Sequence, residues 1–158
     1  MKRVSSARPF IASFVIFRKQ GKIAFVLRKN TSWMNNYYGL PSGKVEEGES
    51  FSQAAALEAK EEVGVRLAPK NLRPLLTVHR VADDETRHWV DVYFEADEWE
   101  GELVNAEPDK HSEVEWFHPN DLPDNVIPHV KHALEQIESG RTYSEYGWPE
   151  MSSLRKQT

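Results

Sequence analysis

Apolar and polar positions divide the chain into short strand-like runs and longer helix-like ones. Phe10 to Phe17 and Ile23 to Leu27 are brief apolar stretches with β-branched members, separated by the turn-forming Lys19-Gln20-Gly21-Lys22. Such a pair reads as two neighbouring strands. Leu75 to Val81 and Trp89 to Ala96 repeat the composition, and in the second Val90, Val92 and Phe94 alternate with Asp91, Tyr93 and Glu95, the two-residue period of a strand. The polar Asp83-Asp84-Glu85-Thr86 is the predicted loop between them, and Val114 to Phe117 is a further short strand.

Two segments carry helical signals. Ser50 to Val63 opens with Ser50 and Gln53 at capping-box spacing, is rich in alanine, and stops at Gly64, a residue suited to a left-handed C-cap. Ile127 to Ile137 places Val130, Ala133, Leu134 and Ile137 at helical spacing and ends before Ser139-Gly140. Strands interspersed with two helices predict an α/β architecture, a mixed sheet with a helix packed on each side. From Arg141 the pattern weakens. Tyr143, Tyr146 and Trp148 are candidates for packing on the domain, whereas residues 1–7 and 150–158, including polar Ser152 to Thr158, are expected to fray.

At 158 residues the whole chain, 1–158, reads as one domain with enough length to bury a core. It has no cysteine, which excludes disulfides, thiolate zinc sites and a cysteine nucleophile. The apolar run after the basic N-terminus stops at Phe17, too short for a membrane span and without a cleavage pattern, so a cytoplasmic location is expected. A net charge of −5 argues against general nucleic-acid binding, which needs a clustered basic surface.

Candidate chemistry concentrates on the first helix. Glu58, Glu61 and Glu62 stand at i, i+3 and i+4, so a helix brings the three side chains to one face. Alone, the triplet reads as a solvated acidic face. The other reading is a divalent-cation site, for which oxygen-only ligands favour Mg²⁺ or Mn²⁺.

The segment upstream separates the two. Gly39-Leu40-Pro41-Ser42-Gly43-Lys44-Val45-Glu46-Glu47-Gly48-Glu49 is a glycine-punctuated loop leading into the helix. From Gly43 the sequence closely resembles the Nudix hydrolase family, MutT-like members included, whose box reads G-x5-E-x7-R-E-U-x-E-E-x-G-U with U aliphatic. Gly43, Glu49, Glu58, Glu61, Glu62, Gly64 and Val65 fall on its fixed positions. Two positions depart: Leu57 replaces the arginine that helps orient a catalytic carboxylate in the family, and Ser42 stands where glycine is usual.

The resemblance implies an α/β/α sandwich and a pyrophosphohydrolase that cuts a diphosphate linkage of a nucleoside triphosphate or related nucleoside diphosphate derivative. It implies Glu58, Glu61 and Glu62 as metal ligands or, for one of them, the water-activating base. It also implies the Ser42 carbonyl as a ligand and Gly43 and Glu49 as supports of the loop. Many members add an acid from a later loop, and here Glu107, before Pro108, is the candidate rather than Glu113 or Glu115. Arg28, Lys44, Arg87 and His129 are candidate substrate contacts, although His129 reads rather as a water-exposed residue at a helix start. Trp33, Tyr37 and Tyr38 could supply a stacking wall. Signatures of the coenzyme A, NADH or ADP-ribose branches are not evident.

The implied partners are a small nucleotide-like substrate and, as an open alternative, a second copy in a homodimer. Other classes stay open: a non-catalytic nucleotide sensor, for which Leu57 speaks, and a hydrolase of capped RNA ends or dinucleoside polyphosphates.

Overall fold

The computed structural model describes residues 5–82 and 87–149. The predicted loop Asp83–Thr86 and the polar segment Ser152–Thr158 lie outside them.

Strand β1 (Phe10–Ile16) organises the molecule. It runs parallel to β7 (His88–Ala96) and antiparallel to β5 (Ser42–Lys44), while β6 (Leu72–Val81) joins β7 to β9 (Tyr143–Tyr146). The resulting mixed sheet has the order β5-β1-β7-β6-β9. A smaller antiparallel sheet groups β2 (Arg18–Lys19), β3 (Lys22–Arg28), β4 (Tyr38–Gly39) and β8 (His111–Phe117).

Strand periodicity distributes the core between two helices. Ala12, Phe14 and Ile16 of β1, with Ile23 and Phe25 of β3, join Val130, Ala133 and Leu134 of α2 (Pro128–Glu138) in one apolar cluster. Val15, Phe17, Ala24 and Val26 face the other way and pack with Ala55, Ala59 and Val63 of α1 (Phe51–Val63). Burial on both faces explains why β1 and β3 read as continuous apolar runs. The expected mixed sheet between helices is present, supplemented by the second sheet.

The ends of α1 follow the sequence signals. The Gln53 amide donates to Ser50 Oγ at 3.2 Å, the Ser50 amide donates to Gln53 Oε1 at 2.9 Å, and Gly64 sits at φ 73° with its amide on the Lys60 carbonyl. One reading needs correction, and one open segment is filled in as a packed strand. In β7 the side expected to be polar is buried: Asp91 and Tyr93 have no solvent exposure, because Arg80 of β6 neutralises Asp91 and Tyr93 stacks on Phe14 at 4.4 Å. The segment after Arg141 also forms a strand, β9, using the free edge of β6 with Thr77 opposite Tyr143.

Candidate active site

One cavity of about 730 Å³ opens between α1, the mixed sheet and the start of α2. One wall is acidic. Glu58, Glu61 and Glu62 project into it from α1, and Glu107 enters from the loop before β8. That loop is tied to the helix end: the Val104 amide donates to the Val63 carbonyl at 3.0 Å and the Ala106 amide to the Glu62 carbonyl at 3.1 Å. These bonds satisfy carbonyls that a helix C-terminus leaves unpaired and carry Glu107 back to the helix acids.

The residues beside the acids are matched to them. The Ser42 amide donates to Glu62 Oε2 at 3.0 Å. Ser42 is absent from the positive-φ residues, so serine is tolerated just before the box, where glycine is usual. A Cβ on Gly43 would stand 2.2 Å from the Glu58 carboxyl, so only glycine permits that approach. Glu49 accepts the Glu46 amide at 2.6 Å, bracing the loop without bordering the cavity.

Crowding perturbs the acids. Burial pushes the Glu58 carboxyl up to about 7, reinforced by Glu61 and Glu107. Burial and then Glu58 push Glu62 well up, opposed by the Ser42 amide and Arg28. An all-oxygen donor set with mutually repelling charges fits a hard divalent cation. Among the described residues, no three His, Cys, Asp or Glu side chains stand close enough together to hold a metal ion as placed.

The lining also carries cations and aromatic rings. Arg28 lies over Trp33 at 5.4 Å and donates from Nε to the Trp33 carbonyl at 3.2 Å. Lys44 Nζ lies 4.5 Å from the Phe10 ring and borders the cavity. His129 stacks on Trp33 with centroids 5.7 Å apart, and burial with nearby Arg80 lowers its pKa to about 3. The reading of His129 as an exposed helix-start residue is thus corrected: it is 8 % exposed, because Trp33, from a distant loop, covers it.

Three sequence candidates fall elsewhere. Arg87 is exposed, lies over Phe10 at 4.0 Å and does not border the cavity. Tyr38 is buried, edge-on to Phe117, with its hydroxyl donated to Glu113. Tyr37 is exposed outside the cavity. Of the suggested stacking residues, only Trp33 borders it.

Sequence reasoning missed two polar groups. Arg80 borders the cavity from β6, donating from Nε to Asp91 Oδ2 at 2.7 Å and from Nη2 to Oδ1 at 3.3 Å. A signal existed: Arg80 and Asp91 are opposite charges in neighbouring strands, and Asp91 stands between Val90 and Val92. His111, 4 % exposed at the start of β8, borders the cavity beside Glu107, and its Nδ1 has no hydrogen-bond partner among the described residues.

The sheet lies between two helices, and the cavity beside it gathers four carboxylates with Arg28, Lys44, Arg80 and a Trp33–His129 stack. The NUDIX domain family model matches residues 7–138, and the chain belongs to the Nudix family. It is 36 % identical over 124 residues to an ADP-ribose pyrophosphatase of Methanocaldococcus jannaschii, covering 78 % of this chain and 70 % of that protein. It is 28 % identical over 110 residues to the putative 8-oxo-dGTP diphosphatase 3 of Mycobacterium tuberculosis, covering 68 % of this chain and 50 % of that relative. Among solved structures, a MutT NUDIX hydrolase from Burkholderia pseudomallei superposes with a TM-score of 0.74 at 30 % identity, covering 82 % of this chain and 98 % of that one. The fold is MutT-like. Among the described residues, no helix is long and apolar enough to cross a membrane.

Proposed function

We propose that the chain hydrolyses the diphosphate linkage of a nucleoside triphosphate or a nucleoside diphosphate derivative. The supporting observation is that one cavity is lined by Glu58, Glu61, Glu62 and Glu107 together with Arg28, Lys44 and the Trp33–His129 stack. Glu58, Glu61, Glu62, Glu107 and the Ser42 carbonyl would hold Mg²⁺ or Mn²⁺. A bound divalent cation screens the anionic oxygens of a diphosphate and lowers the pKa of an attacking water. One of the helix glutamates accepts that water's proton. Arg28 and Lys44 supply positive charge for the phosphates, and Trp33 offers an aromatic face to the base. Attack of water at phosphorus breaks the bridging P–O bond, giving a nucleoside monophosphate and pyrophosphate, or two phosphate esters from a doubly substituted diphosphate.

The test is incubation with Mg²⁺ or Mn²⁺ and nucleoside triphosphates, 8-oxo-dGTP, dinucleoside polyphosphates, nucleotide sugars and ADP-ribose, followed by product identification. ADP-ribose belongs in the panel because of the archaeal relative, although its branch signatures are not evident in the sequence. Turnover of at least one compound, abolished by excess chelator, is expected. Tight binding without turnover across the panel would replace the hydrolase reading by the sensor reading, and full activity in chelator would remove the cation's role.

A further inference from the structure

Arg80 borders the same cavity as the Trp33–His129 stack and lies near enough to His129 to lower that imidazole's pKa. Its side chain is 12 % exposed and Asp91 is wholly buried. The guanidinium also lies over the Trp89 ring at 5.0 Å, so a carboxylate and an indole together fix its plane. A guanidinium carries five N–H donors in a rigid fork and no acceptor. Asp91 takes the Nε and one Nη2 donor. The end formed by Nη1 and the second Nη2 hydrogen is the fork left for a ligand, and among the described residues Asp91 is the only acceptor paired with Arg80.

Two features decide which chemistry suits that fork. The buried carboxylate offsets the arginine's charge, so a phosphate gains less here than beside Lys44 or Arg28, and a neutral acceptor pair is favoured. The fork is also held before any ligand arrives, which removes the ordering cost of a free arginine. Trp33, stacked on His129, gives the same cavity an aromatic surface for a planar group.

We propose that Arg80, held by Asp91 against Trp89, is the base-reading residue of the cavity and selects a nucleobase edge carrying two adjacent acceptors, as O6 and N7 of guanine do. The proposal rests on the reading that the cavity takes a nucleotide. A donor-only fork meets both guanine acceptors. Adenine sets an amino group beside N7, and 8-oxoguanine carries a hydrogen on N7; in each a donor faces a donor.

The experiment compares kcat/KM for GTP, ATP and 8-oxo-GTP, and calorimetric binding of GMP and AMP, in the wild type, Arg80→Lys and Arg80→Gln/Asp91→Asn. The wild type should favour GTP over both other triphosphates, and GMP over AMP, by about 10- to 100-fold. Arg80→Lys keeps a cation for Asp91 but has no fork. It should bring GTP and ATP within about 3-fold of each other, with the loss on guanine. The amide pair presents a donor and an acceptor and should reverse the preference toward adenine. Arg80→Lys decides the matter alone if the double variant does not fold. A wild type indifferent to the base, or an Arg80→Lys that weakens both nucleotides equally, overturns the proposal. Preferential GMP binding that Arg80→Lys abolishes, without hydrolysis of any triphosphate or of any other compound in the panel above, upholds base reading and sinks the hydrolase reading; base-indifferent hydrolysis does the reverse.

Discussion

A Cβ added to Gly43 would stand 2.2 Å from the Glu58 carboxyl carbon, so the glycine of the loop and the first glutamate of the helix are fitted to each other. Gly43 is not among the positive-φ glycines, and its backbone conformation is open to alanine. Gly43→Ala should therefore fold and displace the Glu58 carboxylate. A misplacement on that scale is expected to lower kcat by about 10²-fold, with little change in melting temperature. Steady-state kinetics and a thermal melt on one preparation check both halves; an unchanged kcat would mean that Glu58 is not needed where it stands.

Leu57 is 46 % exposed on α1, so Leu57→Arg meets no packing obstacle. If the guanidinium found there in the family orients a catalytic carboxylate, restoring it raises kcat roughly 3- to 10-fold, about 0.7–1.4 kcal/mol of barrier. A folded variant with equal or lower turnover shows that another group already performs that orientation.

Glu62 is 8 % exposed, and burial followed by the Glu58 charge pushes its carboxyl well up. A carboxylate raised in this way destabilises the metal-free fold as pH rises above its unfolded pKa. At pH 8 without divalent cations, Glu62→Gln should melt higher than the wild type, by roughly 3 °C, the shift that about 1 kcal/mol produces in a domain of this size. Adding Mg²⁺ should raise the wild-type melting temperature more than the variant's and so narrow the gap. Differential scanning calorimetry with and without metal reads this directly, and a lower metal-free melting temperature for the variant would contradict it.

Glu107→Gln removes one negative charge from the acidic wall while keeping size and polarity. A drop in turnover of roughly 10²-fold, about 2.7 kcal/mol of transition-state stabilisation, is expected at saturating metal. Glu113 instead receives the Tyr38 hydroxyl and Glu115 is exposed; neither borders the cavity. Glu113→Gln and Glu115→Gln should retain most activity. Wild-type turnover in Glu107→Gln together with collapse in either control would move the loop ligand elsewhere.

The parts of this site that were legible in the sequence are those written locally. Ser50, Gln53 and Gly64 mark both ends of α1, and the spacing from Gly43 to Val65 marks the acidic helix and its loop. Glu107 was visible only as an acid before a proline; what turns it inward is a pair of backbone bonds from Val104 and Ala106 to the helix end. The Arg80–Asp91 pair escaped notice because alternation assigns a charged strand residue to solvent, and only the neighbouring strand shows that the charge is matched and buried. β9 depends on a free edge of β6 that no local pattern in Tyr143–Tyr146 announces. The burial of His129 is equally hidden from local pattern, since its cover, Trp33, comes from a loop remote in the chain.

That cover gives His129 a consequence for acid stability. Burial first, then Arg80 and Arg28, lowers its pKa to about 3, whereas in the unfolded chain an imidazole titrates near 6.5. Above about pH 6.5 neither state is protonated and the group is silent. As pH falls from about 6.5 toward 3, the unfolded chain binds a proton that the folded one refuses, so folding weakens by about 1.4 kcal/mol per pH unit, about 2 kcal/mol by pH 5. His129→Phe keeps an aromatic ring against Trp33 and cannot titrate. Urea unfolding of the wild type and of this variant between pH 7.5 and 4.5 should give a stability difference that is constant above about 6.5 and shifts in the variant's favour below it. Parallel curves across the whole range would mean that His129 is protonated in the folded protein and that the Trp33 stack does not exclude water from it.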